Sequence, residues 1–173
     1  LGEAVDRFVV GQRVGVPWLA KICRWQDRRV FAFTRAGDTQ AQTFARSLGA
    51  VWAGASEDAA PEPLDAAIIF APVGTLVPAA LRSIKKGGRV VCGGIYMSDI
   101  PQFPYSILWG EREVISVANL TREDAAGFLS VARRAHVHTS TTVYPLDRAN
   151  QAVQDLREGR VQGAAVLVPA ALR

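Results

Sequence analysis

At 173 residues the chain fits one domain of ordinary size, with room for a core and a small appendage. Hydrophobic residues make up 49% and charged residues 21%, a balance that excludes an intrinsically disordered chain. The formal charge of +4 is carried by dispersed bases (Arg28, Arg29, Lys85, Lys86, Arg133, Arg134) without interleaved aromatics, so no nucleic-acid partner is expected.

The longest apolar runs, such as Ala66 to Ala71, fall far short of the ~20 residues that a membrane helix needs. Leu1 to Asp6 carries acids and no basic, apolar start, so neither a secretory leader nor a membrane association is expected. Cys23 and Cys92 lie far apart and form no disulfide framework. A reduced, cytoplasmic setting follows as the expectation.

In chain order, Val30-Phe31-Ala32-Phe33-Thr34 reads as a strand closed by Arg35-Ala36-Gly37. A helix follows, with Thr39 and Gln42 at capping-box spacing and Ala41, Phe44, Ala45 and Leu48 on one face. Gly49 sits where a helix ends. Ala50 to Ala53 is a weaker strand, and Ser56 to Pro63 an acidic, proline-marked loop. Ala66 to Ala71 is apolar throughout, as in a strand covered on both faces.

A helix from Thr75 to Lys86 presents Val77, Ala80, Leu81 and Ile84, with Pro78 tolerated in its first turn. Gly87-Gly88 stops it, and Arg89 to Cys92 forms the next strand, ending at Gly93-Gly94. Beyond Pro101 and Pro104, Val114 to Ala118 is a further strand, and Thr121 with Asp124 caps a helix bearing Ala125, Phe128, Leu129 and Ala132. The last stretch reads as a strand over Thr139 to Val143, a helix capped by Asp147 with Ala149, Ala152, Val153 and Leu156, and a strand over Gly163 to Val168. Strands alternating with helices of this length predict a doubly wound α/β fold around a parallel sheet.

The segments RRVFAFTR, ARSLGA, LDAAIIFAPVG and SIKKGGRVVCGG between Arg28 and Gly94 resemble the cofactor domain of the zinc-dependent, medium-chain alcohol dehydrogenases. FVVGQRVGVPWL resembles the strand and turn ahead of that family's zinc-binding loop, and VYPLDRANQAVQDLREGRVQGAAVLV its closing return segment. The resemblance implies three parts. Residues 1–19 are a remnant of the GroES-like catalytic domain, 20–138 a Rossmann-type cofactor domain, and 139–173 the return segment of the catalytic domain.

Leu19 runs directly into Ala20, which resembles the end of the first cofactor-domain helix, so a large internal piece is absent at that junction. The family's zinc sites, its glycine-rich phosphate loop and its first strand, central in the sheet, belong to that piece. Arg13 to Val16 is the expected replacement strand, with Trp18 to Gln26 as the crossover helix.

No Gly-x-Gly pair occurs, so the dinucleotide fingerprint is missing; the nearest substitute, Gly15-Val16-Pro17-Trp18, is a poor phosphate cradle. No Cys-x-x-Cys occurs, and Cys23 and Cys92 read as small buried residues. His136 and His138 read as an exposed helix end. Neither a metal ligand nor a catalytic residue is therefore assigned.

The resemblance places the cofactor against Thr34 and Arg35, where a base in place of an acid favours NADP over NAD. It further places Ala71, Pro72 and Val73 at the adenosine side, and Gly93, Gly94, Ile95, Ala118 and Asn119 near the nicotinamide. An arginine of the family's final strand that meets the phosphates is replaced by Ala164. The parent activity that the resemblance implies is the interconversion of small alcohols and aldehydes by hydride transfer with NADP(H) or NAD(H), expected to be inactive in this chain. The alternative is a non-catalytic nucleotide-binding or interaction module. A homodimer built around Val114 to Val117 is implied by the resemblance alone.

Overall fold

The computed structural model describes the backbone of residues 9–11 and 17–169 and the side chains of 21–169. Six parallel strands form the main sheet: β1 (Val9–Gly11), β2 (Phe31–Thr34), β3 (Trp52–Ala55), β4 (Leu64–Ile69), β5 (Ile84–Cys92) and β6 (Glu113–Ser116), in the spatial order β3-β2-β1-β4-β5-β6. Helices α1 (Pro17–Trp25), α2 (Thr39–Ser47) and α3 (Leu76–Ser83) make crossovers between its strands, and α4 (Arg122–Arg134) follows β6. This is the expected doubly wound arrangement.

The central position, whose vacancy would leave two rows of backbone groups unpaired, is held by Val9–Gly11. Val9, Val10 and Gly11 pair with Phe31, Ala32 and Phe33 on one side, and Val10 and Gly11 pair with Ile68 and Ile69 on the other. The expected substitute, Arg13 to Val16, lies outside the described residues. A crossover helix does follow, at Pro17–Trp25.

Two apolar layers flank the sheet. On one face Cys23 of α1 packs with Val30, Ala32, Ala53 and Ile68. On the other, α3 sets Val77 and Leu81, both 0% exposed, against Phe31, Ala67, Ile69 and Val90. Strands buried on both faces explain the near-continuous apolar runs in β2 and β4.

Local chemistry departs from the sequence expectation at three helix ends. Asp38, not Thr39, caps α2, its carboxylate accepting from the Ala41 amide at 2.9 Å; Gln42 turns back to donate to Thr34 Oγ1 at 3.1 Å. Helix α3 stops at Ser83 and not at Lys86, because Ile84 turns extended, pairs with Leu64 and is 2% exposed. Burial there outweighs helix propensity. Asp147 lies inside a short 3-10 turn, Leu146–Arg148, and α5 (Ala149–Arg157) begins with no side-chain cap.

The box at α4 is as expected. Thr121 and Asp124 bond reciprocally, and the bonds from the Thr121 amide and hydroxyl hold the Asp124 carboxyl below the usual carboxylate range.

After α4 the chain leaves the main sheet. Strands β7 (Thr141–Pro145) and β8 (Ala164–Val168) pair in parallel as a separate two-stranded sheet, with α5 as their crossover. Tyr144 donates to Asp155 at 2.9 Å and so ties one face of this pair to α5. The expected apolar face of α5 is hardly covered: Ala152 is buried, but Val153 and Leu156 are 48% and 54% exposed. Among the described residues no helix is long and apolar enough to cross a membrane.

Candidate cofactor edge

Parallel strands end on one side, so the loops after β2, β4, β5 and β6 all emerge at the carboxyl edge of the main sheet. Every candidate cofactor residue lies there. They fall into three groups.

At the end of β2, Thr34 is buried, and its hydroxyl is already committed. It lies within bonding distance of Gly54 O (3.2 Å) and Arg35 O (3.1 Å), and it accepts from Gln42 Nε2. The Ser56 amide and hydroxyl both donate to the Thr34 carbonyl, at 2.8 and 2.9 Å. Thr34 therefore shapes the turn, and the exposed residue is Arg35. The guanidinium of Arg35 has no hydrogen-bond or ion-pair partner among the described residues.

The second group is a pair of loops fastened together. Ala71 is buried, while Pro72 and Val73 reach solvent, turned by a 2.8 Å bond from the Val73 amide to Ala71 O. The Gly93 amide donates to Ile69 O at 2.8 Å, which carries the β4–β5 ladder one step past the strand ends. Gly94 then crosses so close that a Cβ would stand 2.9 Å from Phe70 O and 3.2 Å from Ala71 O. Only glycine fits this crossing.

Ser98 completes the fastening: its amide donates to Pro72 O at 3.2 Å and its hydroxyl accepts from the Gly74 amide at 2.9 Å. Between these anchors Ile95 and Tyr96 are 77% and 91% exposed, and Tyr96 holds a left-handed φ of 56°. The third group, Ala118 and Asn119, is exposed beyond β6, whose exit is fixed by a 3.1 Å bond from the Val117 amide to Cys92 O. Among the described residues no hydrogen bond joins Ala118 or Asn119 to the other two groups.

The sequence reading misses Gln42, Ser56, Gly74 and Ser98. In the sequence Gln42 fits a capping box; the others are loop residues whose partners lie about 22 to 24 positions away.

Burial pushes the Cys23 thiol up to about 11 and raises Cys92 as well, and the two lie in different apolar layers on opposite faces of the sheet. His136 and His138 are exposed after α4. Among the described residues no three His, Cys, Asp or Glu side chains converge as a metal site. A cavity of about 540 Å³ lies on the α3 side of the sheet beneath the loop 56–63, lined by Phe33, Ala60, Leu64, Ile69 and Leu76 among others. Arg35, Gly93 to Ile95 and Asn119 do not border it, so it is not the cofactor edge.

No protein-family model matches the chain. A probable alcohol dehydrogenase, AdhA, of Mycobacterium tuberculosis (strain CDC 1551 / Oshkosh) is 41% identical over 150 residues, 86% of this chain and 43% of that protein. A cinnamyl alcohol dehydrogenase from Sorghum bicolor superposes with a TM-score of 0.79 at 21% identity, covering 96% of this chain and 48% of its own. An alcohol dehydrogenase from the archaeon Aeropyrum pernix gives 0.80 at 18% identity, with 94% and 50% covered. The chain thus spans about half the length of the relatives that it matches or less.

Proposed function

We propose that this chain, a homologue of the zinc-type medium-chain alcohol dehydrogenases that spans only part of them, holds the adenosine side of NADP or NAD and transfers no hydride by itself. The observation that carries this reading is the carboxyl edge. Its loops are fastened by Gly94 and Ser98, and beside the end of β2 it presents Arg35, exposed and without a partner among the described residues. A guanidinium there suits the extra phosphate of NADP, because its planar fork matches phosphate oxygens. Pro72, Val73 and Ile95 offer exposed apolar contact for the adenosine and, farther along, for the nicotinamide.

Bound nicotinamide would supply the hydride chemistry between a small alcohol and its aldehyde, and Ala118 and Asn119 are read as bordering it. Zinc has no fitting donor set among the described residues, where no three His, Cys, Asp or Glu side chains converge. The cytoplasm is the proposed compartment, and an association of two copies through the β6 edge is part of the same reading.

Isothermal calorimetry with NADP, NAD and AMP tests it. NADP should bind about tenfold more tightly than NAD, a difference of about 1.4 kcal/mol, and Arg35→Ala should remove the difference while sparing AMP. Absence of heat with all three nucleotides rejects the reading in favour of an interaction module. Turnover of ethanol or benzaldehyde that a chelator abolishes rejects it in favour of a complete enzyme.

A further inference from the structure

Strands β3 and β4 follow one another in the chain but are separated in the sheet by β2 and β1. Residues 56–63 must therefore run from the carboxyl end of β3 to the amino end of β4, across about 14 Å of sheet. A parallel crossover usually takes about a dozen residues or more and carries a helix. These eight residues are consumed by the span and form none.

The sheet beneath is hollow for a second reason. Gly11 of β1 stands in register between Phe33 and Ile69, and a glycine brings no side chain to the face those two share. The result is the cavity of about 540 Å³, walled by Phe33, Leu64, Ile69, Leu76 and Ala80. That volume is in the range of pockets that take small organic molecules. Its roof is pinned at both ends. The Ser56 hydroxyl donates to Thr34 O at 2.9 Å, and Glu62 accepts from Arg29 at 2.6 Å.

The lining selects the occupant. The walls are apolar, and the Ser83 hydroxyl on the α3 side already donates to Ala79 O at 3.2 Å. The enclosed part of a ligand must then be apolar too, since a polar group would lose its water without gaining a partner. Charge stands at the mouth, with Glu57 and Asp58 exposed on the roof and Arg82 exposed on α3. Glu62 is offset by Arg29, so the two remaining acids outweigh the one base and favour a cation.

We infer that the cavity beneath residues 56–63 is a binding site for a small organic amine, its apolar ring body enclosed over Gly11 and its ammonium at the mouth beside Glu57. The site is independent of nucleotide binding, because Arg35 and residues 93–95 do not border it.

The test is calorimetry with three probes of nearly equal shape and different charge: tryptamine, tryptophol and indole-3-acetate. Tryptamine should bind about fivefold more tightly than indole-3-acetate, with tryptophol between them. It should also slow amide exchange across residues 57–62. Ala80→Phe fills the cavity and should abolish binding of all three while exchange in β4 and β5 stays unchanged. Glu57→Gln alters only an exposed charge, spares the fold, and should lower the amine's advantage over the acid to about twofold. Absence of heat with tryptamine overturns the inference, and so does an equal or higher affinity for indole-3-acetate. Tryptamine binding that persists in folded Ala80→Phe, or that leaves exchange at residues 57–62 unaltered, overturns it as well.

Discussion

Helices α3 and α5 have nearly the same length and both carry an amphipathic pattern, yet they meet opposite fates. Helix α3 lies across a six-stranded sheet and buries Val77, Pro78 and Leu81. Helix α5 crosses a two-stranded sheet and buries Ala152 alone. A periodic pattern names the face that wants covering but does not provide the cover. In the six-stranded region the cover is built from the chain's own sheet; in the terminal unit the described residues supply α5 on one face only. Stability should therefore be concentrated before Thr141, and the terminal unit should open first.

The largest effect should come from cutting each helix at its apolar leucine. Leu81→Ala removes a fully buried side chain and should cost about 2–5 kcal/mol in urea unfolding followed by Trp fluorescence. Leu156→Ala, at a residue 54% exposed, should change the same midpoint by less than about 0.5 kcal/mol. Equal losses would break the contrast between the two regions.

Alkaline pH sharpens it further. The Cys23 thiol is pushed up to about 11 by burial against Val30 and Ala32, so the folded state retains a proton that the unfolded chain releases near 9. Its contribution is fully present below about pH 9 and is lost as pH rises through about 11. Urea titrations from pH 8 to 11 should show the six-stranded region losing stability, and Cys23→Ala should flatten that slope. An unchanged slope in the variant would place the alkaline sensitivity elsewhere.

Gly74→Ala probes the fastened loops, because a Cβ would run into the Ser98 and Asp99 carbonyl oxygens. Backbone is slow to yield, so a loss of about 1–3 kcal/mol is expected. Nucleotide heats in calorimetry should fall with it. Ser98→Ala removes only the hydroxyl that accepts from the Gly74 amide, and should cost about 1 kcal/mol.

Most of the layered fold was legible because burial on both faces writes itself as apolar runs, as in Ala66-Ala67-Ile68-Ile69. Turn chemistry was legible where it is local: Gly49 takes a positive φ at the helix end where the sequence puts it. What escaped is non-local. Nothing near Val9 announces that it will pair with Phe31, and nothing near Ser98 announces Gly74. The candidate edge was readable as strand ends, but the division of labour between buried Thr34 and exposed Arg35 depends on Gly54 and Ser56, carried there by β3.

The smallest effects lie at two helix starts that look alike in sequence. Thr121 and Asp147 both precede apolar-periodic stretches, but only Thr121 closes a reciprocal box, with its amide and hydroxyl donating to Asp124 at 2.8 and 2.7 Å. Thr121→Ala leaves helical donors without a partner and should cost about 1 kcal/mol. Asp147 accepts no cap bond, since the chain enters α5 through a 3-10 turn and Arg148 takes the cap position, and Asp147→Ala should stay within about 0.5 kcal/mol. Amide exchange at the first turns of α4 and α5 reads both outcomes. A marked loss of protection at α5 in Asp147→Ala would mean that the terminal unit contains a cap of its own, and would weaken the contrast between the two starts.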